Sequence, residues 1–325
     1  MAGFLLIGGA GFIGSHLTHR LAGDGHDVVV VDDRRRYVEG AAGGHEAVHA
    51  WREAQLLCGA RVHEATAGDG AALHALVAEH RPEVVVQLAN LPLATVARDD
   101  PAHARASIVD ATAGVLDAIA AGGGVRRFTY VSSSMVYGDF AREPMPEDGP
   151  CRPREAYGRL KLEAEQLVRR RGAQLGLEVT VVRPSAVYGP GDAHGRFIQR
   201  LAAAARDRRT LVLTGGGLTR LDFTAVADLA GGIAAASTQV AGAGATFNLS
   251  RGEARSLADA VDIARPCGYE VDVRVEPAVD ALRPRRGSLD IARARDRLGY
   301  DPATSLEAGL AAYLEAVAGS AAVPA

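Results

Sequence analysis

The sequence of 325 residues has little cysteine, few aromatic residues and no large excess of either charge. Its three cysteines, Cys58, Cys151 and Cys267, form no C-x-x-C pair. We therefore expect the reduced thiols of a cytoplasmic protein, and neither a disulfide framework nor a zinc site. Aromatic residues make up 5% of the chain, which argues against stacking platforms for single-stranded nucleic acid. The formal net charge of −3 provides no general attraction to nucleic acid or to an anionic membrane.

Long apolar runs are also absent from the sequence. No apolar segment is long enough to cross a bilayer, so we expect no membrane partner. A strand pattern begins at Phe4, which predicts that no signal peptide is present. We interpret the histidines as scattered and expect no metal site.

A glycine-rich turn follows the apolar run Phe4–Ile7 and leads into a helical pattern. Gly8, Gly11 and Gly14 give the spacing G-x-x-G-x-x-G: the first permits a tight turn, the second lets the backbone approach a pyrophosphate, and the third lets the helix pack closely. The N-terminus of the helix would offer N–H groups to phosphates. A second apolar run ends at Asp32, about twenty residues later, where a carboxylate can bind an adenosine ribose. The sequence thus predicts a dinucleotide site.

Short, almost wholly apolar strands alternate with helices over the first half of the chain. The predicted strands are Phe4–Ile7, Val28–Asp32, Glu83–Leu88, Arg127–Val131 and Glu178–Val182. The predicted helices are Gly11–Leu21, Ala71–Glu79, Ala102–Ala120 and Tyr157–Arg171, and the stretch from residue 33 to Gly59 is polar and contains glycine. This order predicts an α/β fold with a doubly wound parallel Rossmann sheet.

The pattern loosens after Arg183, which suggests a smaller C-terminal α/β lobe. We expect residues 1–183 to form the cofactor-binding Rossmann domain, with a contribution from about 221–250. Residues 184–325 would mainly bind substrate.

A serine cluster and a Tyr-x-x-x-Lys pair suggest acid/base chemistry. Ser133 follows an apolar strand, and Tyr157 and Lys161 lie four residues apart on one predicted helix face. A neighbouring ammonium should lower the pKa of a tyrosine towards the working range, so that its phenolate can act as a base. A serine hydroxyl on the same substrate oxygen would stabilise the charge that develops there.

These motifs make the chain resemble the extended short-chain dehydrogenase/reductase family, which contains nucleotide-sugar epimerases and dehydratases. The resemblance extends to segments 131–138, 183–192, 220–228 and 298–302. It implies that Tyr157 is the acid/base, that Lys161 binds the nicotinamide ribose and tunes Tyr157, and that Ser133 is the catalytic Ser/Thr. It also implies a homodimer whose interface contains the helices Ala102–Ala120 and Tyr157–Arg171.

The resemblance implies NAD as the cofactor. The implied contacts are Gly8, Gly11, Phe12, Ile13, Gly14, Asp32, Asp33, Arg34, Leu88, Ala89, Tyr157, Lys161, Pro184 and Val187. Asp32 and Asp33 would repel the 2′-phosphate of NADP, whereas residues 34–36, all arginine, could attract it. We favour NAD because an acidic residue at the strand end binds the 2′-hydroxyl directly.

The substrate contacts that we expect are Asn90, Pro92, Ser134, Met135, Arg220 and Arg283. Sugar 4,6-dehydratases carry Asp and Glu where this chain has Ser134 and Met135, and the related decarboxylases generally have Glu at the second position. Neither Ser134 nor Met135 can perform that chemistry, so the sequence favours an epimerase. Ala186 replaces an Asn that contacts substrate in many relatives, and Leu221 replaces a common arginine.

The sequence therefore predicts an NAD-dependent nucleotide-sugar epimerase that acts at C4 of a UDP- or dTDP-linked hexose or uronic acid through a keto intermediate. The alternative is a reductase or dehydrogenase of a keto-sugar or another carbonyl compound, which Ala186 and the apolar segment 91–93 keep open. A third reading is a catalytically silent NAD-binding scaffold, against which Ser133, Tyr157 and Lys161 argue.

Overall fold

A computed structural model describes residues 1–35, 44–91, 94–277 and 283–319. Its strands are β1 (Gly3–Ile7), β2 (Asp27–Asp32), β3 (Arg61–Glu64), β4 (Val84–Gln87), β5 (Arg127–Val131), β6 (Glu178–Pro184), β7 (Ala186–Tyr188), β8 (Leu211–Thr214), β9 (Arg220–Ala225), β10 (Thr246–Leu249), β11 (Ala254–Ser256) and β12 (Val273–Glu276). Its α-helices are α1 (Phe12–Gly23), α2 (Gly44–Leu56), α3 (Gly70–His80), α4 (Ala94–Asp99), α5 (Pro101–Arg105), α6 (Ala111–Gly122), α7 (Ala156–Leu175), α8 (Phe197–Asp207), α9 (Val226–Thr238), α10 (Leu257–Ala264), α11 (Ala292–Leu298) and α12 (Leu306–Gly319). A π-helical turn covers Ala106–Asp110, and 3₁₀ turns cover Ser134–Tyr137, Gly215–Gly217, Val240–Gly242 and Arg265–Cys267.

In the part of the chain that the structure describes, the central sheet has seven strands in the order β10-β6-β5-β4-β1-β2-β3. Every pair in it is parallel. This confirms the predicted doubly wound α/β fold. The strand order reverses between β1 and β4, and in such sheets the crevice at this point, outside the carboxyl ends of the strands, holds the ligand.

The central strands of the sheet are buried on both faces because most of their residues are apolar. In β1, Phe4 and Leu6 pack against the core that contains α1 and α9, whereas Leu5 and Ile7 pack against the core that contains α3, α6 and α7. The run of valines in β2 alternates in the same way. Parallel strands covered by helices on both sides require this continuous apolar sequence.

A second core lies beside the carboxyl ends of the sheet. It joins α8, α10 and α12, with apolar residues that include Leu201, Val261 and Leu310. A three-stranded sheet of order β11-β9-β7 and a parallel pair of β12 with β8 complete this lobe among the described residues. None of the described helices is both long and apolar enough to span a membrane.

The structure differs from the sequence prediction between β2 and α3. Residues 44–56 form α2, where only a polar, glycine-containing stretch was predicted, and residues 61–64 form β3, for which no element was predicted. The inner face of α2 presents Val48, Arg52 and Leu56 at four-residue spacing, and the buried arginine interrupts the apolar pattern that identifies a helix. As the edge strand of the sheet, β3 is only half-buried and has a polar sequence.

A second difference concerns the predicted helix Ala102–Ala120. It is divided into α5, the π-helical turn and α6, and the hydroxyl of Thr112 donates to the carbonyl of Ile108 within the turn at 2.6 Å. A π-helical turn adds one residue without changing the apolar composition, so residue periodicity does not reveal it.

We predict that Gly14→Ala destabilises the protein. A Cβ at Gly14 would lie 2.2 Å from the carbonyl oxygen of Gly8, so the turn and α1 would have to separate. We expect the free energy of unfolding to fall by about 2 kcal/mol or more, as for other overpacked sites. Gly23→Ala in the same helix is the control, because nothing lies within 4 Å of a Cβ there. Urea unfolding should show it unchanged or stabilised; equal losses in both variants would contradict the packing role of Gly14.

Candidate active site

A cavity of about 1080 Å³ opens at the carboxyl ends of β1, β4 and β5. Its lining includes Gly8 after β1, Leu88–Asn90 after β4, and Ser133 after β5. This is the crevice at which the strand order reverses. Its volume is at the upper end of the range for small-molecule sites, which suits two ligands better than one.

The glycine turn forms a cradle at one end of the cavity. Gly8 has φ +84°, and a Cβ there would lie 2.5 Å from the backbone N of Ala89. Gly11 precedes α1 without a capping side chain, so the N–H groups of the first helical turn, at Phe12 and Ile13, face the cavity that both residues line. A helix N-terminus of this kind binds phosphate, and the cradle therefore fits the pyrophosphate of a dinucleotide.

Asp32 lies at the predicted position and supports the turn as well. Its Oδ2 accepts a hydrogen bond from the backbone N of Ala10 at 3.0 Å, and its Oδ1 accepts one from the backbone N of Arg34 at 2.8 Å. Burial raises the pKa of Asp32 above its ordinary value. Asp33 also lines the cavity.

Of the predicted cofactor contacts, Arg34 is misplaced. Its guanidinium forms an ion pair with Glu53 of α2 at 2.6 Å and does not line the described cavity. Its neighbour Arg35 lines the cavity instead. Consecutive residues at a strand end point in different directions, which the sequence alone does not resolve. The other predicted cofactor residues, from Gly8 to Val187, all line the cavity.

Ser133, Tyr157 and Lys161 meet on the cavity floor, where α7 packs on the end of β5. The Nζ of Lys161 donates to the carbonyl of Val131 at 2.8 Å and lies 5.9 Å from the centre of the Tyr157 ring. The hydroxyl of Ser133 acts on the phenol of Tyr157 and lowers its pKa, and both residues line the cavity. The structure thus brings together the three residues predicted to be catalytic.

One helical turn further along α7, Glu165 extends this contact. It is 2% exposed, and its Oε1 accepts a hydrogen bond from the Ser132 hydroxyl at 2.5 Å. Arg183 of β6 donates to both carboxylate oxygens of Glu165, at 2.9 and 2.6 Å. The guanidinium also donates to the phenol of Tyr137 at 3.0 Å. Glu165 thus joins α7 to the end of β5 through Ser132 and to β6 through the buried ion pair with Arg183.

The pKa values of the two ionisable groups differ from the expectation. Burial raises the pKa of Tyr157, and the charge of Arg196 and the hydrogen bond from Ser133 lower it only in part. Lys161, which we expected to lower it, is not among the groups that act on it. Burial lowers the pKa of Lys161 itself to about 7, against the opposing charge of Glu165. With a pKa of about 7 the amine is only partly protonated at neutral pH, so it stabilises a phenolate less than a full ammonium charge would.

The predicted substrate residues are placed unevenly. Asn90, Met135 and Arg283 line the cavity, and the buried Oδ1 of Asn90 has no hydrogen-bond partner among the described residues. Ser134 is 1% exposed and does not contribute to the described lining. Arg220 is also outside it, because its guanidinium is bound to Glu143 at 2.9 Å. Pro92 lies outside the residues that the structure describes.

Most of the cationic lining is missed by the sequence prediction. The arginines of the described cavity wall are Arg35, Arg52, Arg98, Arg154, Arg159, Arg196, Arg200, Arg283 and Arg286. Burial and the nearby charge of Arg283 lower the pKa of Arg200, and the same two causes lower that of Arg286 to about 10. Several cations that line one cavity form a site for an anion. Only the R-P-R-R run of residues 283–286 was a sequence signal for it.

The sequence also contains H-E-x-x-H, from His45 to His49, which the interpretation of the histidines as scattered leaves out. Both residues line the cavity from α2. Burial and the charge of Arg52 lower the pKa of His49 to about 4. No group of three metal-binding side chains occurs among the described residues, and the neighbouring guanidinium opposes a metal cation.

The fold and the cavity are those of a dinucleotide-binding enzyme, with a glycine cradle, acidic side chains at the end of β2 and a Ser–Tyr–Lys group. A model of the NAD dependent epimerase/dehydratase family matches residues 4–250. The chain belongs to this family.

Named proteins resemble the chain over nearly its full length. A UDP-glucose 4-epimerase of Mycolicibacterium smegmatis is 32% identical and covers 96% of this chain and 97% of its own. The structure of UDP-glucose 4-epimerase from Thermotoga maritima with UDP-glucose has a TM-score of 0.85 at 26% identity, over 96% of this chain and 97% of that one. MoeE5 in complex with UDP-glucuronic acid and NAD has a TM-score of 0.83 at 29% identity, over 96% and 98%.

Lys161 is the only lysine in the sequence, so its titration can be observed alone. We predict that protein labelled with ¹³Cε-lysine gives one NMR signal, which titrates with a midpoint of about 7 when no cofactor is bound. Below that pH the amine is charged and above it the amine is neutral. A midpoint near the ordinary value of about 10.4 would contradict the buried position of the amine.

Proposed function

We propose that this protein is an NAD-dependent nucleotide-sugar 4-epimerase, acting on a UDP- or dTDP-linked hexose or uronic acid. The observation that carries the proposal is the meeting of Ser133, Tyr157 and Lys161 beside the glycine cradle. The named relatives, two UDP-glucose 4-epimerases and a UDP-glucuronic acid complex, support this class of substrate.

The cofactor would lie along the sheet edge from the cradle to Lys161. Gly11 and the start of α1 would hold its pyrophosphate, Asp32 and Asp33 its adenosine ribose, and Lys161 its nicotinamide ribose. We assign cofactor binding to residues 1–183 with about 221–250, and substrate binding mainly to residues 184–325. Bound NAD would supply a hydride acceptor for the carbinol carbon of the sugar and later return the hydride.

Tyr157 would move the proton that accompanies the hydride. Its phenolate takes the proton of the sugar hydroxyl as the carbinol becomes a ketone, and gives the proton back after the keto sugar has turned over. The hydroxyl of Ser133 would hydrogen-bond the same sugar oxygen and stabilise its developing charge. Because burial raises the pKa of Tyr157, ionisation needs positive charge nearby, and Arg196 lowers the pKa in this direction. The oxidised nicotinamide ring would add further positive charge.

The residues after Ser133 favour epimerisation over loss of water. Dehydration needs an acid and a base beside the sugar, and the two positions are taken by Ser134, which is buried away from the cavity, and Met135. Neither side chain can exchange a proton with the substrate at neutral pH.

Arg200, Arg283 and Arg286 would bind the diphosphate of the substrate. The Nε of Arg286 is buried without a hydrogen-bond partner among the described residues, and a phosphate oxygen would satisfy it. This assignment puts the nucleotide beside Arg200, Arg283 and Arg286 and the sugar beside Tyr157. We further propose a homodimer, with an interface that includes the segments 102–120 and 157–171, and a cytoplasmic location.

We predict that NAD co-purifies with the protein and that turnover of a UDP-sugar leaves no net NADH. Tyr157→Phe should retain NAD and lose at least about a hundredfold in kcat, because the proton then has no acceptor. Sugar products are measured by NMR and NADH by absorbance. Tyr269→Phe is the control, since that phenol donates to the carbonyl of Leu314 outside the cavity. Net NADH formation would indicate a dehydrogenase, and undiminished turnover by Tyr157→Phe would refute the mechanism.

We predict that Arg286→Met raises the KM for a UDP-sugar by about tenfold to a hundredfold, the effect of one lost charge-assisted hydrogen bond. Arg285→Met is the matched control: Arg285 is exposed and does not line the described cavity. Steady-state kinetics with both variants make the comparison. Equal effects at the two positions would mean that net charge, and not a diphosphate contact, determines the affinity.

A further inference from the structure

The side chain of Arg52 joins α2 to two other segments at one edge of the cavity. Arg52 is 3% exposed and lines the cavity. Its Nη1 donates to the carbonyl of Ala10 at 3.1 Å, within the glycine turn. Its Nε and Nη2 donate to the carbonyl of Gly191, at 2.9 and 2.6 Å, in the loop after β7. Three segments that are far apart in the sequence therefore meet at one guanidinium.

Close packing accompanies these hydrogen bonds. Gly191 has φ +82°, and a Cβ there would lie 2.9 Å from the ring of Trp51, the neighbour of Arg52 on α2. The loop and the helix are thus in direct contact. Burial lowers the pKa of Arg52 to about 10 against the opposing charges of Asp192 and Asp32, so the guanidinium is charged at neutral pH. A buried charge bound to carbonyl groups on two segments resists their separation, because separation would leave it without partners.

The hydrogen bonds of Arg52 join the two sides of the proposed cofactor cleft. Gly8 and Gly11 line the cavity on the side of Ala10, and the segment 193–198 lines it on the side of Gly191. On the proposed function, NAD leaves from between these sides, so the sides must part when it exchanges.

We infer that Arg52 is a positioning residue. Its hydrogen bonds hold α2 and the loop after β7 against the glycine turn and thereby slow the exchange of NAD. The inference rests on the proposed function and extends it, since an epimerase must keep its reduced cofactor until the hydride returns to the sugar. A reductase would instead need the cofactor to leave in every cycle.

A second contact holds the same loop independently of Arg52. His16 of α1 is hydrogen-bonded to the carbonyl of Pro190 at 3.0 Å. Replacing Arg52 should therefore weaken the attachment of α2 to the turn and the loop without detaching the loop from α1. This separation makes a substitution at Arg52 informative.

The test measures binding and release of NAD with the fluorescent analogue 1,N⁶-etheno-NAD and a chase of unlabelled NAD. Arg52→Met should raise the rate constants of both release and association by about tenfold, the effect of one lost charged hydrogen bond on opening. Kd should change less than threefold, because the contacts of Arg52 must break both when NAD enters and when it leaves. Arg52→Lys keeps the charge but not the forked contact to two carbonyls, and should give an intermediate release rate.

The control is Arg20→Met, which removes an arginine of α1 whose side chain is 55% exposed and paired with Asp24. It should leave both rate constants unchanged. Release that stays within twofold of the wild type in folded Arg52→Met overturns the inference, as does a rise in Kd equal to the rise in the release rate, which would indicate a direct contact. If Arg52→Met does not fold, Arg52→Lys decides on the same criteria. A wild-type protein that binds no NAD would refute the proposed function and this inference together.

Discussion

The contact between the inner face of α7 and the end of β5 determines the rest of the site. Tyr157, Lys161 and Glu165 follow at four-residue spacing on one helix face, and they meet Ser133, the carbonyl of Val131 and Ser132 in turn. One helix register therefore sets the distances between all three proposed catalytic residues. The buried pair of Glu165 with Arg183 holds this register, and the cost of leaving either charge alone, about 3–5 kcal/mol, keeps both in place. The same pair sets the electrostatics of the floor, because Glu165 is the anion that acts on Lys161.

The cavity wall differs from the floor because it carries several arginines. Arg283 lowers the pKa of both Arg200 and Arg286 there, so these side chains repel one another when no anion lies between them. An anionic ligand would relieve that repulsion and add to the stability of the protein through its preferential binding to the folded state. The proton-transfer group lies apart from this cluster, and the charge that acts on Tyr157 comes from Arg196, which is itself paired with Asp192 at 2.9 Å. On the proposed function, binding of the phosphates and tuning of the base are thus served by different cations.

The sequence predicts best what depends on local geometry. The glycine turn, β1, β5 and the spacing of Tyr157 and Lys161 each follow from a few neighbouring residues, and the structure has them as expected. The sequence predicts less well in which direction a side chain points. For example, Arg34 and Arg220 bind carboxylates outside the cavity, whereas Arg35 lines it. The helix α2 was missed because Arg52 occupies a position that an apolar residue usually fills. That arginine is buried because its partners, Ala10 and Gly191, come from distant parts of the chain.

In this family, few residue positions decide which reaction the common fold catalyses. Hydride and proton transfer need only the cradle and the Ser–Tyr–Lys group, which a dehydratase and an epimerase can share. The two enzymes differ in whether an acidic and a basic side chain follow Ser133. Here Ser134 is turned into the core and Met135 is uncharged, so a keto sugar formed on the cavity floor has no route to lose water through them. Its remaining course is reduction, and the face that is reduced depends on whether the sugar can turn while its diphosphate stays bound. The cavity volume of about 1080 Å³ leaves room for that rotation, whereas a narrow cavity enclosing the sugar would return the original epimer.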